Sequence, residues 1–370
     1  MSIPRFWRLN RSRYELAGYR CTHCGKQFLT PHLVCPQCHK EIERISQGVF
    51  PRLEAAKPCS TDRQHAMTVS VVIPAYNAAT TIRSALSSLT AQDFEETYEI
   101  IVVDSSSDAT PDIVRNEFAG VHLVHREQKT DPGTARNLGI ARAQGEIIAC
   151  IDADCIAPPD WLRRMVAAHR SGHEVVGGTI QNGNPDSLLS WAGYLGEFRE
   201  WLTVERAHLV SHVPTCNISY DRSVFARFGG FPTEFYPQED LLYHYRLSQH
   251  GMPIWFDPAI CVQHMQRATW HSYQQHQERI GRITARVLKL TGGEGAFLAR
   301  SRILCLLAAP ILPWVKWLRT IGVFASQQPA VLRNHGLALA PLLLGLYCWA
   351  AGFVKGAWAP PLSVEPQDKL

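Results

Sequence analysis

Residues 69–154 open with Val69-Ser-Val-Val-Ile73 and close with Glu146-Ile-Ile-Ala-Cys-Ile151-Asp-Ala-Asp154, and the rhythm between those two runs decides the fold. Val69–Ile73 is a β-branched run that ends at Pro74, and a helical stretch follows over 80–89. Tyr98-Glu-Ile-Ile-Val-Val103 is a second buried strand ending at Asp104, with a helix over 111–118. Val121–His125 reads as a third strand, 133–143 as a helix, and Glu146–Ile151 as a fourth strand ending at Asp152. Continuous apolar strands alternating with helices predict an α/β, doubly wound parallel sheet with helices on both faces. Ligands of such sheets sit beyond the carboxyl ends of the strands. Pro74–Asn77, Asp104 and Asp152–Asp154 all fall at those ends, so they are expected to form one site.

The chemistry of those ends is not that of the common nucleotide motifs. Neither G-x-G-x-x-G after the first strand nor G-x-x-x-x-G-K-[ST] is present, so there is no dinucleotide fingerprint and no P-loop. Asp152-Ala-Asp154 follows a buried strand where the chain turns into a loop. One carboxylate can then face a ribose while the other binds a hard divalent cation, Mg²⁺ or Mn²⁺. A cation bridging two phosphates neutralises a leaving nucleoside diphosphate. Alone, such a pair also caps loops.

Around this segment the chain falls into further pieces. Residues 1–50 carry Cys21-Thr-His-Cys24 and, ten residues on, Cys35-Pro-Gln-Cys38. Four converging thiolates in a closed tetrahedron select Zn²⁺. The expected role is structural, holding together a mini-domain too small to fold alone. Residues 51–67 have no periodicity and read as a linker. The next piece, 68–290, holds the sheet. In the last, 291–370, Leu337–Val354 is eighteen residues without a charge, at the lower length limit for a membrane span. Ile303–Val315 is thirteen uncharged residues before Lys316 and Arg319. This segment (303–324) is expected either to span with a snorkelling Lys316 or to lie in the interface, kinked by Pro310 and Pro313. With the second segment (337–354) also spanning, the pair would form a hairpin with both termini cytosolic.

Bulk composition agrees with a folded globular protein rather than a collagen-like, coiled-coil or disordered chain. Of 370 residues 46% are hydrophobic and 19% charged. The net charge of +4 is too small to argue for nucleic acid, although Arg5, Arg8, Arg11, Arg13, Arg20 and Lys26 make the N-terminus basic. Seven of the eleven Cys are scattered, which reads as a reducing compartment. Met1–Arg20 has no apolar run of signal-peptide length, so the catalytic part is expected in the cytosol. Arg286, Lys289, Arg300 and Arg302 precede the first hydrophobic segment, as suits a cytosolic flank. The expected location is the cytoplasmic face of the inner (plasma) membrane.

Ordered motifs across about 220 residues sharpen this. Ser70-Val-Val-Ile-Pro-Ala-Tyr-Asn-Ala78, Ile101-Val-Val-Asp-Ser-Ser-Ser-Asp108, Thr134-Ala-Arg-Asn-Leu-Gly-Ile140 and Cys150-Ile-Asp-Ala-Asp-Cys155 are followed by Val176-Gly-Gly178. Thr215-Cys-Asn-Ile-Ser219 then precedes Phe228-Gly-Gly-Phe231, and Gln238-Glu-Asp240 precedes Arg246-Leu247. Together they resemble family 2 glycosyltransferases of the GT-A fold. The resemblance implies a hexosyltransferase using a nucleotide-diphosphate sugar, with Pro74, Tyr76 and Asp104 at the nucleobase, Arg136 near the donor phosphates, and Asp152 and Asp154 as the ribose and metal motif. It further implies Asp240 as general base and Glu239 as the group that positions the acceptor. A base is what an attacking hydroxyl needs, and direct displacement inverts the anomeric centre. His264, at a strand end, is similar to a His that completes metal binding, and Asn217 is placed toward the acceptor side. By themselves, Glu239 and Asp240 also read as an acidic first turn of a helix.

Some positions depart from the pattern. Asp104-Ser105 stands where Asp-Asp is common, and Leu242 where a second acid often follows. The Gln-x-x-Arg-Trp of processive synthases is not found, which favours transfer of a single sugar. The first knuckle (Gly18 to Gly25), Pro31 and the second Cys pair are similar to a rubredoxin-like zinc ribbon that precedes an OB-fold in acyl-CoA-associated proteins. No OB-fold pattern follows here, so that function does not carry over. The acceptor is expected to be a cell-surface or lipid-linked glycan, with a protein partner for the ribbon in view. The rival readings are a polyprenyl-phosphate glycosyl synthase, a membrane scaffold with a vestigial transferase domain, and nucleic-acid binding by the zinc ribbon.

Overall fold

The computed structural model describes residues 68–203 and 206–360 and, ahead of them, three short strands within 18–45. The chain divides into two compact units, Met1–Gln64 and His65–Leu370. In the first, β1 (Gly18–Cys21), β2 (Gln27–Phe28) and β3 (Ile42–Ile45) form an antiparallel sheet in the order β2-β1-β3. Cys21 ends β1 and is paired with Ile42. Cys24, Cys35, Cys38 and the stretch 51–67 lie outside the described residues.

The second unit begins with β4 (Val69–Ala75), α1 (Ile82–Thr90), β5 (Tyr98–Asp104), α2 (Thr110–Glu117), β6 (His122–His125), α3 (Pro132–Arg142) and β7 (Ile147–Cys150). The four strands are parallel, and every one of the expected strands and helices is present within two residues of its predicted ends. Successive side chains of β4 enter opposite cores. Val69, Val71 and Ile73 join a core with α1, while Val72 joins a second core with Ala135 of α3 on the opposite face. Both faces are covered, which is why these strands read as unbroken apolar runs.

Beyond β7 the sheet stops being purely parallel. After β8 (Cys155–Ile156), α4 (Trp161–Arg170), β9 (Val175–Asn182), α5 (Leu188–Glu197) and β10 (His208–Val210) comes β11 (Ile218–Asp221), which runs antiparallel to both β7 and β9. Next are α6 (Arg222–Phe228), α7 (Glu239–Gln249) and β12 (Ile254–His264), which pairs in parallel with β9. The order is β10-β12-β9-β11-β7-β4-β5-β6, with β8 paired to β12. The parallel expectation holds for one half, and the whole is a mixed α/β sheet.

The β9–β12 pairing contains a bulge between Asp257 and Cys261. Gly178 permits it, since a Cβ there would lie 1.8 Å from the Ile260 carbonyl oxygen. Asn217 locks the same bulge. Its amide donates to the carbonyls of Thr179 (2.8 Å) and Ile260 (3.1 Å) and accepts from the Trp161 indole (2.9 Å). Asn217 is fully buried and does not line the cleft, so the acceptor-side placement expected from sequence is corrected to a structural one.

The C-terminal helices belong to this same unit. They are α8 (Trp270–Thr291), α9 (Ala296–Arg300), α10 (Arg302–Ala308), α11 (Leu312–Gln327), α12 (Pro329–His335) and α13 (Leu339–Trp358). α13 lies along α8 at backbone contact. A Cβ on Gly352 would lie 1.9 Å from the Glu278 carbonyl oxygen, and one on Gly281 the same distance from that of Trp349. Gly352→Ala must therefore push two helices apart and is expected to cost about 1–3 kcal/mol. Gly322→Ala, in α11 with nothing within 4 Å, should instead stabilise by about 0.5–1 kcal/mol through helix propensity. Thermal unfolding of the two variants should move in opposite directions.

Candidate active site

At the carboxyl ends of the parallel strands the chain turns twice to face one cleft. After β4, Asn77 takes a left-handed conformation (φ 50°), which Asn tolerates. Its backbone N–H donates to Ser106 Oγ (2.7 Å) and its Oδ1 accepts from Ser107 N–H (3.0 Å), so the β4 and β5 loops brace each other. Pro74 and Tyr76 consequently line the cleft, with the Lys129 ammonium over the Tyr76 ring at 3.8 Å. Asp104 does not line it. Its carboxylate is fully buried, accepts from Ser106 and meets His125 Nδ1 at 2.6 Å.

α3 begins with an Asp131 cap that accepts from Thr134 N–H (2.9 Å), with Pro132 in its first turn. One turn in, Arg136 and Asn137 point to different tasks. The Asn137 amide donates to the Phe231 carbonyl and accepts from its N–H, both at 2.8 Å, pinning the loop that leads to α7. Arg246 holds the same loop through the carbonyls of Phe228 (2.9 Å) and Gly230 (3.2 Å). The Arg136 guanidinium, 3% exposed, donates to Asp152 Oδ1 (2.6 Å) and to Glu239 Oε1 (2.7 Å). One cation thus joins the aspartate motif after β7 to the acidic first turn of α7. The Asp152 and Glu239 charges hold Arg136 in its charged form.

Glu239 and Asp240 sit side by side in different electrostatic settings. Burial pushes the Glu239 carboxyl up to about 7, the adjacent Asp240 adds to this, and Arg136 opposes it. Its second oxygen, Oε2, is buried in the cavity wall without a hydrogen-bond partner among the described residues. Burial also works against the charge on Asp240, but the imidazole of His212, 3.6 Å from Oδ1, holds that carboxyl below the usual carboxylate range. The Thr215 N–H donates to its Oδ2 at 3.3 Å. At neutral pH Asp240 is the ionised acid of the pair, and Glu239 is the one poised to titrate.

The β8–β12 pairing sets His264 opposite Cys155, and the Met265 N–H donates to the Asp154 carbonyl (2.8 Å). His264 Nε2 lies 3.6 Å from Asp154 Oδ1, while Gln266 meets the Nδ1 edge at 3.0 Å. Ligand atoms of Asp154, Cys155 and His264 fall within 4.8 Å of one another. Burial pushes the Cys155 thiol well up, and as a soft sulfur it is a poor partner for a hard cation. A carboxylate oxygen and an imidazole nitrogen remain, a donor set that suits Mg²⁺ or Mn²⁺ with positions left for phosphate oxygens.

Pro74, Tyr76, Arg136, Asp152, Asp154, Glu239, Asp240 and His264, but not Asp104, line one cavity of about 920 Å³. Its far wall was not foreseen from sequence. Glu197 accepts from Gln277 Nε2 (2.9 Å) and meets His276 Nε2 (3.2 Å). Burial opposes its charge, yet His276 and nearby Arg267 hold its carboxyl down at about 2. Lys316 also turns inward, its ammonium 4.1 Å from the Trp349 ring centroid, rather than snorkelling away from an apolar helix. Glu197, His212, Lys316 and Trp349 lie in no motif, and only the tertiary fold brings them to the cleft.

With this geometry in hand, similarity to known proteins becomes informative. Residues 70–229 match the family model "Glycosyl transferase family 2", and residues 11–43 match "ChsH2, rubredoxin-like zinc ribbon domain". Glycosyltransferase AglE of Haloferax volcanii is 28% identical over 194 residues, covering 51% of this chain and 64% of that protein. The glucosyl-dolichyl phosphate glucuronosyltransferase of the same organism is 28% identical over 181 residues, covering 45% and 56%. The chain thus spans less than two thirds of the length of either relative. Among solved structures, the mannosyltransferase PcManGT from Pyrobaculum calidifontis, in complex with GDP-Man and Mn²⁺, superposes with a TM-score of 0.52 at 22% identity, covering 83% of this chain and 91% of that one. At that identity the likeness speaks to the fold, and the fold is GT-A.

Proposed function

We propose that this chain, which carries a family 2 glycosyltransferase domain over residues 70–229, moves a single sugar from a nucleotide-diphosphate sugar to an acceptor hydroxyl, inverting the anomeric centre. The observation that carries the reading is the Arg136 fork, which ties Asp152 on the nucleotide side to Glu239 on the acceptor side within one cavity. Asp240, ionised at neutral pH, takes the proton of the acceptor hydroxyl as its oxygen attacks C1. Glu239 Oε2 holds that hydroxyl in line. Pro74, Tyr76 and Asp152 bracket the nucleoside. Asp104 acts on the nucleobase side by bracing the β5 loop.

Asp154 and His264 are the residues that would hold Mg²⁺ or Mn²⁺, and such a cation neutralises the departing diphosphate. Cys21, Cys24, Cys35 and Cys38 would hold a structural Zn²⁺. A lipid-linked glycan at the cytoplasmic face of the plasma membrane is the acceptor class we favour. Support comes from the apolar C-terminal helices and from the glucosyl-dolichyl phosphate, a lipid-linked sugar, in the name of one relative. The test is product stereochemistry. Transfer from an α-linked nucleotide sugar should give a β-linked product by NMR, and an α-linked product would overturn the inverting assignment.

Activity should also fall as pH drops through about 7. Protonating Glu239 removes the charge that Arg136 needs as partner, whereas Asp240 does not titrate in that window. The acid limb of the rate profile should be absent in Glu239→Gln, at a lower plateau rate.

A further inference from the structure

Two helices of the C-terminal region present apolar side chains to solvent in a regular spacing. Ile303 (72% exposed), Leu307 (67%), Ile311, Val315 and Leu318 (61%) recur four, four, four and three residues apart along α10, the break after it and α11. Their opposite sides are buried, through Cys305, Thr320 and Phe324. The two helices bend by 59° at the break between them. An exposed stripe of this size on a soluble domain marks a surface that something covers.

Charge at the edge of the stripe indicates what covers it. Arg300 and Arg302, on either side of the cap residue of α10, make no ion pair with an acidic group among the described residues, whereas Lys289 donates to the carbonyls of Gly356, Ala357 and Ala359 at the end of α13. Arg302 stacks over the Trp358 ring at 5.2 Å. Basic residues and an interfacial Trp beside an apolar stripe complement anionic headgroups over hydrocarbon.

α13 belongs to the one stretch among the described residues, Pro329–Trp358, that is long and apolar enough to cross a membrane, and it is packed against a charged helix. Gly345, Gly352 and Gly356 seat it on α8, and Lys355 pairs with Glu278 of α8 at 2.7 Å. α8 also carries Arg279, Arg282 and Arg286. A spanning α13 would either drag those charges into hydrocarbon or give up its whole packed face.

We propose that the protein seats on an anionic bilayer surface through the exposed face of α10–α11, as a monotopic protein, with α13 remaining packed on α8 instead of crossing. The docking goes beyond sugar transfer, and a catalytically dead variant such as Asp240→Asn should bind equally well. The test is flotation of the full-length protein with vesicles of phosphatidylcholine alone and with phosphatidylglycerol added. Binding should require the anionic lipid. The double substitution Ile303→Asp, Leu307→Asp should lower partitioning about tenfold or more without lowering the melting temperature. Arg300→Gln with Arg302→Gln should remove the dependence on anionic lipid. Protein bound in cell membranes should be released by alkaline carbonate. Carbonate-resistant retention of the Asp variant would mean that α13 spans. A parent that ignores both vesicles but sediments as a dimer, lost in the Asp variant, would mean that a second copy covers the stripe. Either result overturns the proposal.

Discussion

Asp240→Asn is expected to lower the rate of sugar transfer by about a thousandfold while leaving nucleotide affinity unchanged. The substitution is nearly isosteric. The amide oxygen can take the place of Oδ1, which accepts from the Leu241 N–H (2.6 Å), while the longer contact from the Thr215 N–H to Oδ2 (3.3 Å) is given up, so the start of α7 keeps its shorter hydrogen bond. It loses the proton acceptor. Single-turnover kinetics with a saturating donor isolates the chemical step, and calorimetry with the nucleotide reports the binding side. The same variant separates hydroxyl from phosphate acceptors. A lipid phosphate arrives ionised and needs no base, so retained activity in Asp240→Asn would favour the polyprenyl-phosphate synthase reading.

Arg136→Leu should be the most destabilising single change at the site, about 3–5 kcal/mol at pH 8. It leaves Glu239 buried without its cation and Asp152 unpaired. The pH dependence identifies the mechanism. Burial already raises the Glu239 carboxyl in the folded state above its unfolded value of 4.5, so its ionisation costs stability as pH rises from there toward about 7. Arg136 opposes that rise, and removing it moves the folded value further up. The deficit of the variant relative to the parent should therefore be small at pH 5, where Glu239 is largely protonated in both proteins, and should grow toward pH 8. Melting curves across that range check this. A deficit that does not change with pH would assign the loss to packing alone.

The two predictions rest on parts of the chain that differ in how legible they are. The parallel half of the sheet was readable because both of its faces are covered, so Val69–Ala75, Tyr98–Asp104 and Ile147–Cys150 are apolar at nearly every position. The antiparallel β11 was not. Ile218-Ser-Tyr-Asp221 is four residues long, and nothing local says which way it runs beside β7. Motif residues on strand ends and helix starts were readable as a set, and the fold brings Arg136, Asp152, Asp154, Glu239, Asp240 and His264 to one cavity. Asn217 sits in a motif for a different reason, since its three hydrogen bonds hold the β9–β12 bulge. Lys316 was legible only as a charge interrupting an apolar run. Its inward turn over Trp349 depends on α13 packing beside α11, a contact between positions far apart in sequence. The second apolar segment has a packing role that hydropathy does not show. Gly345, Gly352 and Gly356 count as apolar residues in a window, while in the fold they are the contact surface for a charged helix.

The central claim, that one cleft binds a nucleotide-diphosphate sugar through Asp152, Asp154, His264 and Arg136, is tested most directly by calorimetry on the full-length protein. UDP, GDP and dTDP are titrated with Mn²⁺, then again with EDTA and with Asp154→Ala. The account predicts that one of the three diphosphates binds, that EDTA abolishes the binding, and that Asp154→Ala weakens it severely while melting at the parent temperature. A folded protein that binds none of the three with Mn²⁺ present, or binds one equally well in EDTA and in the variant, would contradict it.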